Sequence, residues 1–88
     1  MSKKINIVEK MELSKDAALD FPIVTSVGNY EIYIENFKSI ILYENDTLKL
    51  LTKCGIITVQ GTSLEIMYYD DEVIFIKGRI SKVEYWVI

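Results

Sequence analysis

The chain predicts a small, mainly β protein, and three observations carry that reading. From Tyr30 to the C-terminus short β-branched and aromatic runs recur; polar or Gly-containing breaks separate them at nearly even spacing; and most runs alternate apolar with polar side chains. The breaks lie at residues 35–38, 44–46, 53–55, 60–62, 70–72 and 77–78, which leaves runs of about five to eight residues, the usual length of a strand. The 88 residues suffice for one domain, 1–88, with residues 1–29 forming a helix and a connecting segment and 30–88 the sheet body. A chain this short hides only ~60% of the surface its unfolded form exposes, so its core is thin.

Residues 3–13 place Ile5, Val8 and Met11 about three apart with charged residues between them, the pattern of a short N-terminal amphipathic helix. A helix of that length is marginal in water and needs a surface to lie on. Pro22 stops any second helical turn, because the residue before a proline disfavours the α region. A strand is expected at 23–26 inside the connecting segment. The first firm strand covers 30–35, with Tyr30, Ile32 and Ile34 on one face and Glu31, Tyr33 and Glu35 on the other. Strands follow at 39–43, 47–52, 56–60, 64–69, 73–77 and 79–88. Loops of about two to four residues close hairpins, whereas parallel pairs need crossovers of about a dozen. The expectation is therefore an antiparallel meander of six to seven strands, curled into a small sandwich or partly open barrel because several strands are apolar on both faces. The alternative is a β-solenoid, which even spacing also suits.

Composition narrows the chemistry. Ten basic against thirteen acidic residues give a net charge of −3, no general attraction for phosphate backbones, so nucleic acid is not expected. Histidine is absent, which excludes Ser-His-Asp and Cys-His arrangements. Cys54 is the single cysteine; it builds neither an internal disulfide nor a typical structural zinc site, and it fits a reducing compartment. Asp70-Asp71-Glu72 is the densest acidic patch, but adjacent acids in a hairpin loop point in different directions, and no metal is expected there. Gly28, Gly55, Gly61 and Gly78 stand alone, outside any phosphate-binding spacing, and read as turn or bulge residues. The N-terminus is too polar for a signal peptide, and the longest apolar run, Ile40-Ile41-Leu42-Tyr43, is far short of the ~20 residues of a membrane-spanning helix. No cofactor, catalytic residue or membrane span is predicted.

The C-terminal run brings Tyr85, Trp86 and Ile88 to a terminal strand, which is often an edge strand with free backbone groups. Tyr85 and Trp86 are candidate anchors for self-association or for a partner strand, with Ile5, Val8 and Met11 as a second interface; the alternative is that Trp86 closes the core. Tyr33, Tyr43, Tyr68 and Tyr69 offer a different use, stacking on a sugar or nucleobase.

Taken in order, Leu19-Asp20-Phe21-Pro22, Gly28-Asn29, Tyr33-Ile34-Glu35-Asn36, Gly55 with Ile57, Val59, Gly61 and Leu64, and Ile76-Lys77-Gly78-Arg79-Ile80 resemble the YabP/YqfC family of bacterial sporulation proteins, closer to the YqfC branch. The resemblance covers nearly the whole chain and marks Pro22, Gly28, Asn29, Glu35, Asn36, Gly55, Gly61 and Gly78 as family-motif positions. It implies a non-enzymatic protein of the mother-cell cytoplasm that works in spore envelope formation, peripheral to the envelope, beside a membrane-associated YqfD-like partner. It carries over no catalytic residues.

Overall fold

Alternating side chains are served by extended backbone, and the predicted runs form strands. The computed structural model describes residues 20–87; the expected helix at 3–13, with Ile5, Val8 and Met11, and the terminal Ile88 lie outside them. Six strands follow in order: β1 (Ile23–Val27), β2 (Glu31–Glu35), β3 (Phe37–Tyr43), β4 (Thr47–Thr52), β5 (Gly55–Tyr69) and β6 (Val73–Val87). They make one antiparallel sheet of order β1-β2-β6-β5-β4-β3, as expected of the fold class and unlike the parallel coils of a solenoid.

Consecutive strands pair, with one exception: β2 lies against β6, not β3. Asn36 alone separates β2 from β3, in the left-handed region at φ 65°. A hairpin needs about two loop residues to reverse within the sheet, so a single residue turns the chain out of its row. The Asn36 amide donates to Glu72 O at 2.6 Å, and its Nδ2 donates to Phe21 O at 2.9 Å. An asparagine suits this corner because it tolerates the left-handed conformation and ties two neighbouring segments with its side chain.

Two boundaries are corrected. Gly61 and Gly78 are not hairpin turns; the expected strands 56–60 and 64–69 are one strand, as are 73–77 and 79–88 up to Val87. Pairing runs past both glycines, through Gly61 opposite Ile80 and Thr62 opposite Arg79, with register shifts on either side. A Cβ on Gly61 would lie 2.1 Å from Arg79 O, and one on Gly78, at φ 150°, 2.8 Å from Ser63 O. The glycines are there because two bending backbones approach each other, a use sequence spacing does not separate from a turn. The body also begins earlier than residue 30, since β1 adds its strand at Ile23.

Cross-strand partners share a face of the sheet. Ile32 sits opposite Ile76, Ile34 opposite Ile74, Leu48 opposite Val59 and Leu50 opposite Ile57, and all eight belong to one buried cluster with Phe37 and Leu64. The bends in β5 and β6 fold one half of the sheet (β1, β2 and the adjoining ends of β6 and β5) over the other (β3, β4 and their opposite ends). Each fully buried Ile, Leu or Val removes side-chain surface worth roughly 1.5–3 kcal/mol from water. Thr52 is the buried polar residue of the described region; its Oγ1 donates to Gly55 O at 2.9 Å and accepts from Cys54 N at 3.1 Å, which locks the β4–β5 turn.

Candidate functional site

The second half of β6 is the first candidate. Residues 82–87 pair with 55–60 of β5 in unbroken register. Their other side carries no strand among the described residues: β2 covers β6 only from Val73 to Lys77, and the last ties to the β1–β2 turn are Gly78 N to Tyr30 O and Ile80 N to Asn29 O. Tyr85 shares the face of Ile57 but projects beyond the covered core, and Trp86 lies on the opposite face beside Ile56. Tyr85 is 60%, Trp86 73% and Val87 77% exposed, so Trp86 does not close the core. Of the sheet's two outer strands, β1 is five residues long and pairs with β2 in unbroken register. β3 carries register shifts between Phe37 and Ser39 and between Ile40 and Leu42 in its pairing with β4. Bulges of this kind twist an edge away from pairing.

The second candidate is a trough of about 510 Å³ between β3 and the second half of β5, lined by Ile40, Tyr43, Ile66, Met67, Tyr68 and Tyr69. Three of the four tyrosines singled out from sequence meet here. Tyr33 does not: it stacks on Phe75 at 4.3 Å between ring centres, in the face turned away from the core. The gathering of Ile40 and Tyr43 with residues 66–69 was not readable beforehand, because it depends on the Asn36 corner that carries β3 round to the far edge of β5.

The remaining sequence-derived positions lie elsewhere in the sheet and its turns. Asp70 Oδ1 accepts from the amides of Glu72 at 2.8 Å and Val73 at 2.9 Å, and Oδ2 accepts from the Tyr68 hydroxyl at 2.7 Å. The Glu72 amide first, then the Tyr68 hydroxyl and the Val73 amide, hold the Asp70 carboxyl below its ordinary range, and the hydrogen bond to Asp70 followed by its charge raises the Tyr68 hydroxyl. This carboxylate thus spends its oxygens on the β5–β6 turn, and no group of three or more potential metal ligands occurs among the described residues. Gly28 and Asn29 form the β1–β2 turn, with Gly28 at φ 56°, and Gly55 opens β5 opposite Thr52. Glu35 ends β2 between Ile23 and Val73, and Pro22 precedes β1. Cys54 is exposed in the β4–β5 turn, and no described helix is long and apolar enough to cross a membrane.

A family model described as the YabP family matches residues 23–86, from the first residue of β1 to Trp86. The chain belongs to the YabP family. It is also 30% identical over 79 residues, 90% of this chain and 85% of the relative, to a Bacillus subtilis (strain 168) protein described as uncharacterized protein YqfC. No solved structure matches. Membership in the YabP/YqfC family suggests a sporulation-related protein. The stretch matched by the YabP model contains β1 to β5 and β6 up to Trp86, with both bends, the Asn36 corner and the trough.

Proposed function

We propose that this YabP-family protein is a non-enzymatic assembly or adaptor module of spore envelope formation, acting in the mother-cell cytoplasm on a membrane-associated, YqfD-like partner. The observation that carries it is the side of β6 where six residues, in regular register with β5, meet no second strand among the described residues, beside the exposed side chains of Tyr85, Trp86 and Val87. Strand addition at such an edge takes affinity from main-chain hydrogen bonds and specificity from alternate side chains, and a Trp–Tyr pair is a strong interface anchor. A net charge of −3 gives no general attraction for anionic lipid or nucleic acid, which favours contact through protein. The same edge serves a homo-oligomer equally well, and a light-scattering mass with and without partner separates the two uses.

Copurification with a detergent-solubilised YqfD-like protein, lost in Trp86→Asp, is the expected result. A strictly monomeric protein without any membrane-fraction partner overturns the proposal. A second reading, a small glycan- or nucleobase-binding module, draws on the meeting of Tyr43, Tyr68 and Tyr69 in the trough. Retention on glycan arrays or peptidoglycan tests it, since an adaptor retains neither.

A further inference from the structure

β3 and the second half of β5 run alongside one another between two main-chain ties, Leu64 N to Asn45 O at 2.7 Å at one end and Asn36 N to Glu72 O at 2.6 Å at the other. Between those ties the two strands share no register pairs; each is paired only on its far side, β3 to β4 and this part of β5 to β6. The Ile66 amide donates instead to the Tyr43 hydroxyl at 3.2 Å. A side-chain oxygen thus stands where a neighbouring strand would present a carbonyl. The trough continues past Ile40 and Tyr69 into a second hollow of about 410 Å³ bounded by Phe37, Lys38, Asp70 and Asp71, so it follows the length of β3.

Its floor is apolar and adaptable. Tyr43, Met67, Tyr68 and Tyr69 are each about half exposed, and the thioether and phenol rings fit varied apolar side chains. Its ends are acidic: Glu44 and Asp46 stand in the β3–β4 turn by one tie, and Asp70, Asp71 and Glu72 in the β5–β6 turn by the other, with Lys38 as the basic residue of the lining. We propose that this trough is a docking slot for an extended peptide whose side chains alternate apolar and polar and whose two ends are basic, lying antiparallel to residues 65–69 and taking the Ile66 amide from Tyr43. A sugar would stack on the tyrosines and leave both strand edges unpaired; an extended peptide uses rings and backbone together. The slot is a different surface from the open side of β6, and the two proposals stand or fall separately.

The full chain is panned against a random dodecapeptide display library, with Met67→Glu and Tyr69→Glu proteins as counter-selections. Both positions are about half exposed, and circular dichroism and thermal melts verify that the variants fold. Expected are enriched sequences with period-two apolar residues and Lys or Arg at both ends, binding at least tenfold weaker to either variant, and unchanged by Trp86→Asp. Bound peptide slows amide exchange at residues 65–69. Tyr43→Phe, which frees the Ile66 amide, tightens binding by about two- to tenfold, the range set by one hydrogen bond no longer broken. Absence of enrichment over the counter-selected variants overturns the proposal, as does enrichment of acid-flanked sequences. Glycan-array retention lost in Met67→Glu, without peptide enrichment, assigns the slot to a sugar and overturns it. So does protection of residues 65–69 that rises with protein concentration alone, which assigns it to a second copy.

Discussion

The two halves of β6 belong to one strand and one hairpin, yet they live in different environments. Residues 73–77 run between β2 and β5, and Ile74 and Ile76 there are completely buried. Residues 82–87 keep β5 but have no second neighbour among the described residues, and Tyr85, Trp86 and Val87 are mostly exposed. Val73 to Ile76 are apolar at four successive positions, whereas residues 82–87 set Lys82 and Glu84 among Val83, Tyr85, Trp86 and Val87. The difference teaches that burial in this protein depends on whether a flanking strand arrives, and β2 reaches only to Lys77 because it begins at Glu31, just past the Gly28-Asn29 turn, with Glu35 at its other end opposite Val73.

The largest effect should come from truncation in the covered half. Ile76→Ala removes a fully buried side chain and should cost about 2–5 kcal/mol by chemical denaturation, whereas Val87→Ala should stay within about 0.5 kcal/mol. Equal losses at the two positions would break the comparison. Next comes the bend between the halves. Gly61→Ala places a methyl 2.1 Å from Arg79 O, and the forced backbone shift should cost about 1–3 kcal/mol in the same measurement, with amide exchange accelerated around the bend. Unchanged stability would mean that the two strands do not approach as closely as drawn.

Asn36→Ala should cost about 1–2 kcal/mol, through the left-handed backbone and the lost bond to Phe21 O, and Asn36→Gly should recover the backbone part. If both variants cost the same, the side-chain bond alone matters at this corner. The smallest expected effect is a pH dependence at the β5–β6 turn. The folded carboxyl of Asp70 is held below its unfolded value by the Glu72 amide above all, so its stabilisation is complete above the ordinary carboxylate range and fades as pH falls through the folded value. The Tyr68 hydroxyl is raised, chiefly by its hydrogen bond to Asp70, so its share is present below the ordinary tyrosine range and fades as pH rises. Thermal melts of Asp70→Asn should therefore show a flatter acid arm than the parent protein; identical arms would remove Asp70 from the account.

Several features were legible before any coordinates. The alternation of Ile32 and Ile34 against Glu31, Tyr33 and Glu35 separated the buried side chains of β2 from its partly exposed ones, because side chains on a strand alternate whatever the partner. Asp70 as a turn residue followed from its own local chemistry. Gly61 and Gly78, read as turn or bulge residues, stand at register shifts and not at hairpin turns: a glycine needed for a turn and a glycine needed for close backbone approach are the same residue, and only Arg79 O and Ser63 O, brought in by the opposite strand, tell them apart.

By itself the sequence determined the β class of the chain, most of its strand segments and the side chains that alternate along them. Tertiary structure decided what stands beside each strand. A period of two says which way a side chain points, but the pairing of β2 with β6, the seam between β3 and β5 and the open side of residues 82–87 all depend on contacts between segments distant in the chain. Such contacts follow from burying the summed apolar faces of all six strands at once, and no single segment carries that information.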